Sequence, residues 1–170
     1  MPTISIWLMK ICGIDPGANG AICVLDDADP LYIRLLDFGK FSIFEATKWL
    51  HALSVDQVWI EDVHSIYGSA ARANFNFGKS VGYAHAIAEI VTQGQPAYLV
   101  APKVWQKYIG ITSKGKAIKQ EVHDIATCKY PSANLLNKPF KRKGKIKQTI
   151  HDGRSDALMI AYYGLNHKDR

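Results

Sequence analysis

The 170-residue chain suits one domain with one sizeable core, and its 48% hydrophobic and 21% charged residues are those of an ordinary globular protein. The 21 Lys and Arg exceed the 15 Asp and Glu by the net charge of +6, which favours a polyanionic partner. No apolar run approaches the ~20 residues of a bilayer span, so no membrane partner is expected. The opening MPTISIWLMK lacks a long apolar core and a small-residue cleavage site, which implies no signal peptide and a cytoplasmic location. Cys12, Cys23 and Cys128 have no ligand-like spacing, so reduced and mostly buried thiols are expected rather than zinc.

Residues 4–14 are rich in β-branched and apolar side chains and predict a buried strand, closed by the turn signal Asp15-Pro16-Gly17. Residues 20–25 and 31–38 predict two more strands, completing an antiparallel meander. Ile43, Ala46, Trp49, Leu50 and Leu53 recur at helical spacing. Residues 57–60 predict a short strand ending at Glu61. Residues 63–77 begin as a loop, and residues 77–91 turn helical. A strand is expected at 97–100, then a helix opened by Pro102 and closed by Gly110. An amphipathic helix covers 116–130, a linker-like basic loop covers 131–147, and a last helix covers 152–165.

The order βββ-α-β-α-β-α-α-α predicts an α/β protein with a mixed five-stranded sheet flanked by helices, the RNase H-like fold class, in one domain over 1–170. The same order would suit half of an actin-like or sugar-kinase ATPase.

Four acids stand at telling places. Asp15 follows one buried strand and Glu61 ends another, while Asp152 and Asp156 lie four apart on one face of the last helix. Ligands collect at the carboxyl ends of strands in open α/β sheets. Clustered carboxylates call for a hard divalent cation, Mg²⁺ or Mn²⁺, and two ions could drive phosphodiester cleavage. Each acid also has a plainer reading: Asp15 as a turn residue, Asp152 as a helix N-cap, Asp156 as a partner of the helix dipole. Glu61, inside VWIEDV, is the hardest to explain that way.

CGIDPGANGAI resembles the first strand of RuvC-like Holliday junction resolvases. VWIEDVHSIYGSAARANFNFGKSVGYAHAIAEI is similar to their second motif and HDGRSDALMIAYYGL to their last, in the style of phage-borne members. The resemblance implies a homodimeric, Mg²⁺-dependent endonuclease with two ions per site. It would cut four-way junctions and other branched DNA to leave 5′-phosphate and 3′-hydroxyl ends, in a bacterial host cytoplasm if phage-encoded. It implies metal-binding roles for Asp15, Glu61 and Asp156. The family's fourth acid lies three residues before the last Asp, where this chain has Gly153; Asp152 is the replacement chosen here, ahead of His151. The family's aromatic wedge position holds His64, so that role passes to Tyr67 or Phe75 or is absent.

Lys103, Lys107, Lys114 and Lys116 resemble DNA-contacting positions, though each alone reads as a solvated lysine. Lys138, Lys141, Arg142, Lys143, Lys145 and Lys147 crowd into one stretch, expected to be a disordered loop that orders on phosphate. The helix over 77–91 is the expected dimer interface. Rival readings are a related nuclease for flaps, forks or RNA–DNA hybrids, an actin-like ATPase, and a non-catalytic junction binder. The ATPase would need two such domains, and the intact acids argue against the non-catalytic binder.

Overall fold

A computed structural model describes residues 8–64, 68 and 70–168. Strands β1 (Lys10–Asp15), β2 (Ala21–Asp26) and β3 (Ile33–Asp37) form an antiparallel meander. β4 (Gln57–Glu61) joins β1 in parallel, and β5 (Tyr98–Val100) joins β4 in parallel. The sheet order is β3-β2-β1-β4-β5. This is the mixed five-stranded α/β sheet of the RNase H-like class expected from the order of elements.

Successive strand residues point to opposite faces, and both faces of this sheet are covered. On one side Ile11 and Trp59 pack with Trp105 of α3 (Pro102–Ile109), Val122 and Ala126 of α4 (Ala117–Lys129), and Leu158 and Ala161 of α5 (Asp152–Leu165). On the other side Cys12, Ile14, Val58 and Ile60 pack with Leu50 of α1 (Ile43–Leu53) and Ala84 and Ile87 of α2 (Ala71–Val91). Two buried faces explain why β1 and β4 read as nearly continuous apolar runs.

Local chemistry sets several element ends. Ser42 and Glu45 form a reciprocal capping box that starts α1. Pro102 opens α3, and Gly110 ends it at φ 90°. Among the described residues, no helix is long and apolar enough to cross a membrane.

The structure corrects three expectations: the start of β1, the start of α2 and the form of the basic segment. β1 begins at Lys10, and residues 4–7 of the expected strand lie outside the described residues. α2 begins at Ala71, so six residues read as loop are helical; they carry no apolar period because none of residues 71–83 is fully buried and Phe75 is exposed. The cysteines are mostly buried, as expected: Cys12 and Cys23 lie in the core, and Cys128 is exposed on α4. The basic segment is not a structureless loop: β6 (Phe140–Arg142) and β7 (Lys145–Lys147) pair as a hairpin. Lys143 and Gly144 at its tip have φ of 49° and 74°, the double left-handed conformation of a tight hairpin turn.

Candidate active site

The parallel register sets Ile14 opposite Ile60, so Asp15 and Glu61 finish adjacent strands at one edge of the sheet. Asp15 is in phase with Ile11 and Gly13, and Glu61 with Trp59. Both acids therefore share the face that α5 covers.

Two glycines bring α5 onto that edge. A Cβ on Gly13 would stand 2.3 Å from the backbone N of Ala161 and 2.4 Å from the carbonyl of Ala157. The helix thus lies directly on the β1 backbone, with Asp156 one residue before that contact. A Cβ on Gly153 would stand 2.0 Å from the carbonyl of Asn19 in the β1–β2 turn. No side chain fits there, which is the physical reason that an acid in the first turn of α5 stands at Asp152 instead. Asp152 is not the N-cap: His151 is, and its Nδ1 accepts from the Arg154 backbone N at 3.2 Å.

The four carboxylates feel one another. Burial, then the charges of Glu61 and Asp152, push the Asp15 carboxyl up to about 7. Burial, then Asp15, Glu61 and Asp152, push Asp156 well above the carboxylate range. Burial raises Glu61, while Trp105 Nε1, donating to Glu61 Oε1 at 2.9 Å, stabilises its charged form. Burial also opposes ionisation of Asp152, but the ion pair with Lys119 outweighs it and leaves Asp152 below its ordinary value. The Lys119 ammonium also attracts Asp15 and Asp156, and it is raised chiefly by its bond to Asp152.

Among the described residues, no three Asp, Glu, His or Cys side chains stand together as a ready-made metal group. The donor set nevertheless fits a hard divalent cation. It is all carboxylate oxygen, the neighbouring acids add to burial in raising Asp15 and Asp156, and Lys119 is a positive charge that acts on Asp15, Asp152 and Asp156.

A second charged group fixes the start of α5. Arg154 grips Asp37, at the end of β3, through Nε at 2.6 Å and Nη2 at 3.0 Å. Its Nη1 donates to the carbonyls of Asn134 at 3.1 Å and Leu136 at 3.2 Å. Arg154, with help from Lys40, holds the Asp37 carboxyl well below the usual carboxylate range against the effect of burial.

Lys103 and Lys107 are exposed on α3, on the side opposite the buried Trp105; Lys114 and Lys116 are exposed before α4. Lys141, Arg142, Lys143 and Lys145 are exposed on the hairpin. His64 is exposed, Phe75 stands 73% exposed on α2, and Tyr67 lies outside the described residues. Sequence reasoning missed Lys119, Trp105 and the Asp37–Arg154 pair. Trp105 is legible as an anchor, being large and apolar within a polar helix, but nothing in the pattern of lysines distinguishes Lys119 from its neighbours.

The course of the chain is similar to two solved structures of RuvC from Thermus thermophilus. The one in complex with a Holliday junction substrate is 17% identical, with 94% of this chain and 92% of that chain covered at a TM-score of 0.49. The other is 18% identical, with 94% and 93% covered at a TM-score of 0.49. No protein-family model matches the chain, and no curated protein matches it. At this identity the likeness carries no chemistry from those proteins to this chain.

Proposed function

We propose that this chain is a Mg²⁺-dependent endonuclease of the RuvC-like type that cuts Holliday junctions and other branched DNA. The observation that carries this reading is the convergence of four acids from three distant segments at one end of the sheet: Asp15 and Glu61 finish the paired strands β1 and β4, and α5, lying on the β1 backbone at Gly13, brings Asp152 and Asp156. Those four acids would hold two Mg²⁺ ions, with Mn²⁺ as a substitute; bound there, the ions supply an activated water and charge stabilisation at the scissile phosphate. Trp105 orients Glu61 by its hydrogen bond. Lys119 now pairs with Asp152 and would be the cation placed to donate to a phosphate oxygen if Asp152 were engaged by a metal ion. Arg154 holds the first turn of α5, and hence the spacing of Asp152 and Asp156, against β3.

Lys103, Lys107 and Lys116 on one flank and the cationic hairpin on another are the proposed DNA contacts. The largely exposed first half of α2 is the proposed face of a homodimer, since none of residues 71–83 is fully buried and Phe75 stands 73% exposed. A dimer would give two cuts across one junction. One domain over 1–170 and a cytoplasmic setting complete the reading.

The test is cleavage of matched four-way junction, flap, fork, RNA–DNA hybrid and linear duplex substrates with Mg²⁺, together with light scattering for mass. Preferred cutting of the junction by a dimer is expected. Preference for flaps, forks or hybrids would reassign the substrate. No cutting of any substrate with Mg²⁺ or Mn²⁺ would overturn the nuclease reading.

A further inference from the structure

The hairpin is built as an arm rather than a loose loop. Leu136 bridges Ile150, Asn137 N donates to the Thr149 carbonyl at 2.9 Å, and His151 N donates to the Leu135 carbonyl at 2.8 Å. Phe140 then pairs with Lys147, Lys141 with Ile146 and Arg142 with Lys145. The register shifts by one residue between these two sets, where Pro139, which cannot donate to a ladder, takes up a bulge. Gln148 Nε2 closes that bulge by donating to the Asn137 carbonyl at 2.9 Å. Arg154 holds the base of the arm through Asn134 and Leu136, so arm and catalytic helix share one anchor.

The arm has two unlike faces. Facing residues on paired strands point the same way. Arg142, Lys145 and Lys147 therefore share a side with Phe140, and Lys141 and Ile146 share the other. Arg142, Lys143, Lys145 and Lys147 line one concavity of about 410 Å³. Residues 138–147 contain six cations and no acid, which equals the whole +6 excess of the chain. Without this arm the rest of the molecule is electrically neutral.

The geometry points to a duplex-binding ribbon: the face formed by Arg142, Lys145 and Lys147 clasps the phosphate backbone of a DNA arm on the order of 20 Å from the carboxylates, at ~3.3 Å per strand residue. The choice of duplex DNA as occupant rests on the nuclease reading; the one-faced contact does not. Because arm and α5 are joined at Arg154, the grip on the duplex sets where the strand enters the acidic edge.

The test compares variants by fluorescence anisotropy on a linear duplex and a four-way junction across a salt series, with EDTA present so that no cut intervenes. R142S/K145S should lower the log–log salt slope by about 1.8 and weaken binding on the order of thirtyfold at 0.15 M salt. K48S/K129S removes the same two charges from exposed positions on α1 and α4 and should leave the slope in place. Lys141→Ser, on the opposite face, should move the slope by less than half as much as Arg142→Ser. Equal effects of the two double variants would mean general charge attraction and overturn the ribbon. Equal effects of Lys141→Ser and Arg142→Ser would overturn the one-faced contact. If junctions are cut while R142S/K145S keeps the wild-type slope, this inference alone fails. If the slope falls as expected while every branched substrate stays uncut, the nuclease reading alone fails.

Discussion

Replacing Gly13 by Ala isolates the contact on which the site depends. In an ordinary extended strand, Gly→Ala stabilises by about 0.4–1 kcal/mol through the unfolded chain. Here the new Cβ meets the Ala161 N at 2.3 Å and the Ala157 O at 2.4 Å, and both are backbone atoms of a buried helix. Ordinary contact begins near 3.4 Å, so α5 must lift by about 1 Å from a strand whose own backbone is tied on both sides by β2 and β4. Overpacking of this kind costs about 1–3 kcal/mol, and two backbone partners put it at the upper end. At roughly 2–4 °C per kcal/mol for a chain of this size, the melting temperature should fall by about 6–12 °C. The same lift moves Asp156 relative to Asp15 and should slow junction cleavage about a hundredfold even well below the melting point. Thermal unfolding by circular dichroism and single-turnover cleavage at 20 °C measure the two effects. A variant as stable as wild type would show that α5 does not rest on the β1 backbone, and the account of the site would go with it.

Asp15→Asn should abolish cleavage while junction binding holds or tightens, because one negative charge facing phosphate is lost; Glu61→Gln and Asp156→Asn should behave alike in gel-shift and cleavage assays, and near-wild-type cutting by any of them removes that acid from the site. Asp152→Asn should cut the rate by orders of magnitude yet cost under about 1 kcal/mol of stability, since its pair with Lys119 is solvent-screened and the N-cap belongs to His151; a normal rate with normal Mg²⁺ dependence would sink the ligand role. Asp37→Asn should destabilise by about 3 kcal/mol at pH 7, because it strands Arg154 beside an uncharged partner. The Asp37 carboxyl titrates below its unfolded value, so its contribution is complete above ~pH 4 and is lost as pH falls toward the folded value. Urea melts at pH 7 and pH 3 should therefore show the gap between variant and wild type narrowing in acid, and a gap that does not change with pH would refute the assignment.

Much of this fold is legible in one dimension. The apolar runs of β1, β2 and β4, the capping box at Ser42, Pro102 and Gly110 around α3, and the span of α5 all follow from local periodicity and end chemistry, which depend on neighbours a few residues away. Asp15 and Glu61 are legible for the same reason: an acid at the end of a two-face-buried strand has no ordinary place in a core. The early start of α2 is not legible, because a helix with no fully buried residue over 71–83 writes only a weak apolar period. Nor is the hairpin, whose two faces are both exposed, so charge hides the alternation that pairing creates. The choice of Asp152 over Gly153 is decided only where α5 meets the β1–β2 turn, 134 residues earlier in the chain by the Asn19–Gly153 contact. Lys119, Trp105 and the Asp37–Arg154 pair are likewise products of packing. Composition and periodicity can say that a residue is buried or charged. Which partner it meets across distant segments depends on how closely the backbones approach, and that is settled by the tertiary structure.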